Sequence, residues 1–179
     1  MKPIFEVNLQ KRLSTFKRKK MKTSITNRIG LETKQSQKVA AGLNILLADF
    51  HIYYQNLRGL HWNIRGKHFF ELHLKFEELY NDALLKIDLV AERILTLANK
   101  PYHSFSDYLA HSQVKEKKNV AEAKEAVSLV LNNLKTIIAL ERKILPEAEK
   151  LGDEGTITML TDFITEQEKT IWMYSSWLE

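Results

Sequence analysis

Cysteine is absent from this chain of 179 residues, which excludes a disulfide framework and any thiolate metal site and makes the cytoplasm the expected location. Proline and glycine are scarce, three and six residues, and with abundant Leu, Ala, Glu and Lys the composition favours long helices. No apolar run is long enough to span a bilayer, so no membrane association is expected. The N-terminus also lacks an uninterrupted apolar segment with a small-residue cleavage site, so no secretory signal is expected. The length suits one domain with a sizeable core.

Charge is unevenly distributed. Residues 1–30 carry nine Lys/Arg against the single acid Glu6, leaving eighteen basic and twenty-one acidic side chains, a balance of −3, for residues 31–179. A basic arm, 1–30, on an acidic body, 31–179, is therefore the expected organisation. The run Lys17, Arg18, Lys19 and Lys20, with Lys22, is suited to DNA phosphates through counterion release and without sequence preference. The alternative is a solvated terminus with no partner. Met21-Lys22-Thr23-Ser24 also reads like a second start, from which residues 21–30 would keep only Lys22 and Arg28 as basic groups.

Apolar periodicity predicts a helix from about Thr33 to Trp62, with Val39, Leu43, Leu46, Leu47, Phe50, Tyr54 and Leu57 at three- and four-residue spacing. Gly66 marks a turn, and a second helix follows from Phe69 to Ala98, with Phe76, Tyr80, Ala83, Ile87, Val90 and Ile94 inward. Pro101 stops that helix, and Ser104 or Ser106 is placed to cap a short helix through Leu109. A third long helix is expected from about Lys117 to Lys150, with Val127, Leu131, Leu134, Ile138 and Leu145 inward and Pro146 weakening its last turn. Gly152 ends it, and Asp153 caps a fourth from Glu154 to Leu178. Short link, long crossover, short link among four long helices is an all-α, ferritin-like four-helix bundle with a short helix in the crossover.

The chemistry concentrates in His61, His73, Glu77, Asp88 and Glu92, nitrogen and oxygen ligands suited to iron. On the second helix, Glu77 lies roughly 40° from His73, Asp88 roughly 20° from Glu77 and Glu92 roughly 40° from Asp88. With Asn81 and Leu84 these residues form one stripe, about 100° round from the apolar one. Glu77 and Asp88 are nevertheless about 16 Å apart along the axis, so one ion cannot be held by both ends. If the same helix of a second chain packs antiparallel near Asn81 to Leu84, each His73/Glu77 end meets the partner's Asp88/Glu92 end, which makes two identical sites. The alternative for any one pair is ordinary side-chain pairing on a solvated face.

Gly59-Leu60-His61-Trp62-Asn63 with Gly66, Phe70-Glu71-Leu72-His73, Phe76-Glu77-Glu78-Leu79-Tyr80 and Asp88-Leu89-Val90-Ala91-Glu92-Arg93 together resemble the Dps family, the mini-ferritins or DNA-binding proteins from starved cells. The resemblance covers residues 24–178 and includes Trp172-Met173. It implies a dodecameric hollow shell, a two-iron ferroxidase site at each two-fold interface, and Fe(II) oxidation by hydrogen peroxide in preference to O2. His61, His73 and Glu77 of one subunit would face Asp88 and Glu92 of the next, with Glu92 the strongest ligand. Glu77 departs from the family's usual Asp. Glu149 and Glu154 match two acidic positions of its ion-entry pore, whereas Thr158 replaces a frequent Asp. The Glu-x-x-His pair of larger ferritins is missing, which argues against an iron centre within one bundle.

Trp62, beside His61, reads as an interface packing residue, with a radical trap as the alternative. Trp172 and Trp177 read as core or inter-subunit contacts, and His51, His68, His103 and His111 as core or surface histidines outside the stripe. Two functions compete: an iron-oxidising, iron-storing enzyme, and a nucleoid-packing structural protein whose metal site is vestigial or structural.

Overall fold

The computed structural model describes residues 25–179, so the basic run Lys17 to Lys20 and Lys22 lies outside the described residues. Five helices follow one another: α1 (Thr33–Asn63), α2 (Phe69–Thr96), α3 (Phe105–His111), α4 (Ala123–Leu151) and α5 (Glu154–Leu178). Four are long, and α3 is the short helix of the crossover. The β content among the described residues is an isolated bridge between Thr26 and Glu32. It closes a turn in which the Asn27 side chain accepts from the Ile29 and Leu31 amides at 3.2 and 2.9 Å. Residues 25–30 thus form a folded turn leading into α1.

Side-chain caps set the helix starts. Glu32 accepts from the Gln35 amide, Ser104 from Asp107, Glu122 from Glu125 and Asp153 from Thr156. Each satisfies an amide that has no partner inside its helix. The Glu122 cap corrects the third-helix start from Lys117 to Ala123. The Lys117 amide is bound by the Asn56 side chain at 3.0 Å, and Asn119 takes φ +62°, so the segment before Ala123 cannot be helical. At the end of α2, Ala98 at φ +60° leaves the helix at Thr96 rather than Ala98. Helix α4 continues through Pro146 to Leu151, and Gly152 in the left-handed region closes it.

Aliphatic and aromatic side chains of the four long helices fill one core, with Phe50, Phe76, Leu43, Leu46, Leu47 and Ile94 almost wholly buried. Leu131, Leu145 and Tyr80, expected inward, are partly buried at its margin. Trp172 is 66% exposed in this chain and is not a core residue. Trp177 is partly buried and donates to Glu71 at 3.0 Å.

The crossover is fastened to α1 by buried polar side chains. Asn44 donates to the Lys100 carbonyl and accepts from the Tyr102 amide. Asp49 accepts from the Gln113 and Val114 amides and the Ser112 hydroxyl at 2.6, 3.0 and 2.8 Å. Asn56 does for Lys115 and Lys117 what Asn44 does for Lys100 and Tyr102. These side chains satisfy backbone groups that the irregular chain would otherwise bury unpaired. His51 stacks on Tyr108 of α3 with ring centroids 3.7 Å apart, and burial depresses its pKa to about 4.

Two stability measurements follow from these buried groups. Asp49→Ala removes the acceptor of three donors and is expected to cost about 3 kcal/mol in urea melts, whereas a loss below about 1 kcal/mol would show that the crossover does not depend on it. Burial raises Glu141 on α4 to about 7, against the opposing hydrogen bond from Gln167 and the charges of Lys86 and Arg142. A carboxyl with a raised folded pKa binds its proton more tightly when folded, so its stabilising share is full below the unfolded value and is lost as pH rises through about 7. Glu141→Gln is expected to flatten the pH dependence of the melting temperature between about pH 5 and 8, and an unchanged slope would remove Glu141 as its source.

Candidate metal centre

The link between α1 and α2 spans only residues 64–68, turned by Gly66 at φ +96°, and sets the end of α1 beside the start of α2. His61 and His73 meet there with rings stacked at 3.8 Å and 18° between planes. Their bonding is reciprocal: His61 Nδ1 lies 2.7 Å from the His73 carbonyl oxygen, and His73 Nδ1 lies 2.9 Å from that of His61. A carbonyl only accepts, so each Nδ1 carries the hydrogen, and in the neutral ring Nε2 keeps its lone pair. That is the tautomer a metal-binding histidine needs, fixed by backbone in place of the carboxylate often found.

Glu77, one turn beyond His73 on α2, completes the group. One ligand atom from each of His61, His73 and Glu77 falls within 4.8 Å of the others. None of the three is fully exposed. Asp88 and Glu92 lie farther along the same face of α2, exposed and outside this group. The one-turn and eleven-residue intervals thus separate the five residues of this chain into a clustered triad and an exposed carboxylate pair.

Neighbouring aromatics support the triad. Phe69 stacks on His73 at 5.0 Å, and Tyr80 meets His61 edge-on at 5.3 Å. Burial, and after it the neighbouring Glu77 carboxylate, hold the Tyr80 phenol above its ordinary pKa. Tyr80 is the site residue that apolar periodicity missed, because a tyrosine three positions after Glu77 reads equally well as core. Trp62 points away from the core, 57% exposed, with the Arg58 guanidinium 4.6 Å over its ring.

The remaining candidates lie elsewhere. Glu149, Glu154 and Thr158 are exposed around the α4–α5 turn, where Asp153 pairs with Arg93 of α2. His68 pairs with Glu71 at 2.7 Å, His111 stacks on Tyr102 at 4.4 Å and His103 is exposed. None joins the triad.

Four long helices with a crossover helix define a ferritin-like protein, and the ferritin-like domain model matches residues 40–179. The DNA protection during starvation protein of Porphyromonas gingivalis is 46% identical over 148 residues, covering 83% of this chain and 93% of that relative. Its counterpart from Brevibacillus brevis is 35% identical over 149 residues, covering 83% of this chain and 100% of that relative. The crystal structure of the Dps protein from Vibrio cholerae O1, a member of a broad superfamily of ferritin-like diiron-carboxylate proteins, superposes with a TM-score of 0.85. That pair is 50% identical, over 86% of this chain and 97% of the other. The chain belongs to the Dps family.

The assigned tautomers are directly measurable. In the metal-free protein near pH 8, nitrogen-15 spectra are expected to place the hydrogen of both His61 and His73 on Nδ1. Signals from an Nε2–H form in either residue would contradict the reciprocal carbonyl bonding.

Proposed function

We propose that this protein is a mini-ferritin ferroxidase, binding two Fe(II) as substrate at each inter-subunit site and storing Fe(III) in a hollow dodecameric shell. The observation that carries the reading is the convergence of His61, His73 and Glu77 with both Nε2 lone pairs free. The donor set fits iron: two imidazoles and a carboxylate suit Fe(II), and added carboxylates favour Fe(III). Asp88 and Glu92 would come from the two-fold partner, with Glu92 bridging or bidentate. Exposed Leu84 and Leu85 lie between the two ligand ends, and exposed Leu89 lies beside Asp88; together they supply apolar surface for that antiparallel pairing.

In the preferred reaction one peroxide takes an electron from each of two Fe(II) and, with two protons, leaves as two waters. Delivering both electrons together avoids the hydroxyl radical that a single Fe(II) would release. The fixed histidine rings hold the reactants without reorganisation, and O2 is the slower oxidant. Exposed Glu149 and Glu154 would draw cations toward the entry point. Trp62 is placed to pack at the interface. The body, residues 31–179, would act in the cytoplasm, and no described helix is long and apolar enough to cross a membrane.

Anaerobic loading with two Fe(II) per subunit, followed by peroxide, tests this reading. About two Fe(II) should be oxidised per peroxide, and Glu92→Ala should slow the reaction at least about 100-fold. A wild-type rate equal to the protein-free control would sink the ferroxidase.

A second reading, nucleoid packing with a vestigial or structural metal site, is favoured by the basic run Lys17, Arg18, Lys19, Lys20 with Lys22. Through this arm the protein would bind DNA without sequence preference and protect it from oxidation. Removing residues 1–20 is expected to abolish a salt-sensitive DNA mobility shift while sparing iron oxidation, and an undiminished shift would clear the arm of the role.

A further inference from the structure

Glu92 stands just before the last turn of α2, which ends at Thr96 ahead of Ala98 at φ +60°. Helix ends fray, so a side chain there is only as well placed as whatever fastens the end. The fastening comes from the next residue. The Arg93 guanidinium pairs with Asp153 in the α4–α5 turn, and its Nε donates to the Thr156 hydroxyl at 2.9 Å. That hydroxyl passes its own hydrogen to Asp153 at 2.5 Å, and the Thr156 amide gives Asp153 its cap bond at 3.0 Å. Asp153 and Thr156 are both buried, so the guanidinium is the counter-charge of a carboxylate that water does not reach.

Gly155 marks how closely the guanidinium is seated. A Cβ built on Gly155 would lie 2.7 Å from Arg93 Nη1 and 2.9 Å from Cζ. Gly155 sits in the first turn of α5 without a positive φ, a place where alanine is the better helix former. What calls for glycine is the arginine. We propose that Arg93 is a positioning residue for the metal centre: seated over Gly155 and paired with Asp153, it fixes the end of α2 and with it the Glu92 carboxylate. The ion pair joins the residue after Glu92 to the residue before Glu154, so the ligand end of α2 and the acidic turn move as one body.

The inference rests on the reading of Glu92 as a ligand, and its test separates the two. Co(II) is titrated anaerobically into the full chain, following its visible ligand-field absorption, with Glu92→Ala identifying the signal of the centre. Gly155→Ala forces the guanidinium off its seat and is expected to weaken Co(II) binding on the order of 10-fold and to lower the melting temperature. With Arg93→Ala also present the clash is gone, and Gly155→Ala should instead raise the melting temperature by about 2–4 °C. Arg93→Lys, which keeps the charge without the fork, should recover part of the affinity that Arg93→Ala loses. Asp49→Ala, which loosens the crossover, should leave the Co(II) affinity unchanged, so that lost stability alone does not account for the effect. Folded Gly155→Ala protein that binds Co(II) as tightly as the wild type would overturn the proposal, and so would a higher melting temperature for Gly155→Ala with Arg93 in place. Neither result requires an Arg93 variant to fold. A wild-type Co(II) signal that Glu92→Ala leaves intact would strike the ligand reading itself, and the positioning role with it.

Discussion

The exchange of hydrogen bonds between His61 and His73 is the constraint on which the candidate centre depends. Each ring gives its Nδ1 hydrogen to the other residue's backbone, so the end of α1 and the first turns of α2 are locked in register by the groups that would hold metal. Rotating either ring gives up its Nδ1 hydrogen bond to the other residue's backbone. The tautomer, the ring stacking and the approach of Glu77 all follow from that lock, and the short Gly66 turn makes it possible. Positioning by backbone also spares acidic side chains for the ligand face of α2.

The two ends of that face differ. The triad is set in the α1–α2 corner and lined by Phe69 and Tyr80, whereas Asp88 and Glu92 stand exposed among leucines. A helix carrying half a site at each end is complete only when doubled. The symmetry of the proposed assembly is therefore written into one element rather than into a separate dimerisation segment.

Much of this was legible in the residues because period and chemistry agreed. The 3.6-residue repeat located the long helices, and Gly66, Ser104, Gly152 and Asp153 marked their ends through conformations and caps specific to those residue types. The start of α4 was not legible, since what holds Lys117 out of the helix is Asn56, sixty-one residues away. Pattern alone placed Tyr80 in the core and offered Trp172 the same role. Only packing distinguishes an aromatic that borders a site, or faces outward, from one that fills an interior. Lys86, buried on α2, was invisible for a related reason: a lysine between apolar residues ordinarily reads as a surface charge, and its ammonium is paired with Asp82 of its own helix and Glu166 of α5.

The fastening of the crossover also sets an order of assembly at the ribosome. Asn44, Asp49 and Asn56 find their partners 56 to 65 residues later in the chain. At roughly 5–20 residues per second, about 3 to 13 s of synthesis separate these side chains from the backbone they serve. Throughout that interval the first hairpin, α1 with α2, carries its future interior polar groups in water and is free to sample partners. Commitment comes when the crossover emerges, so the nascent chain matures through its middle before its last two helices can close the bundle.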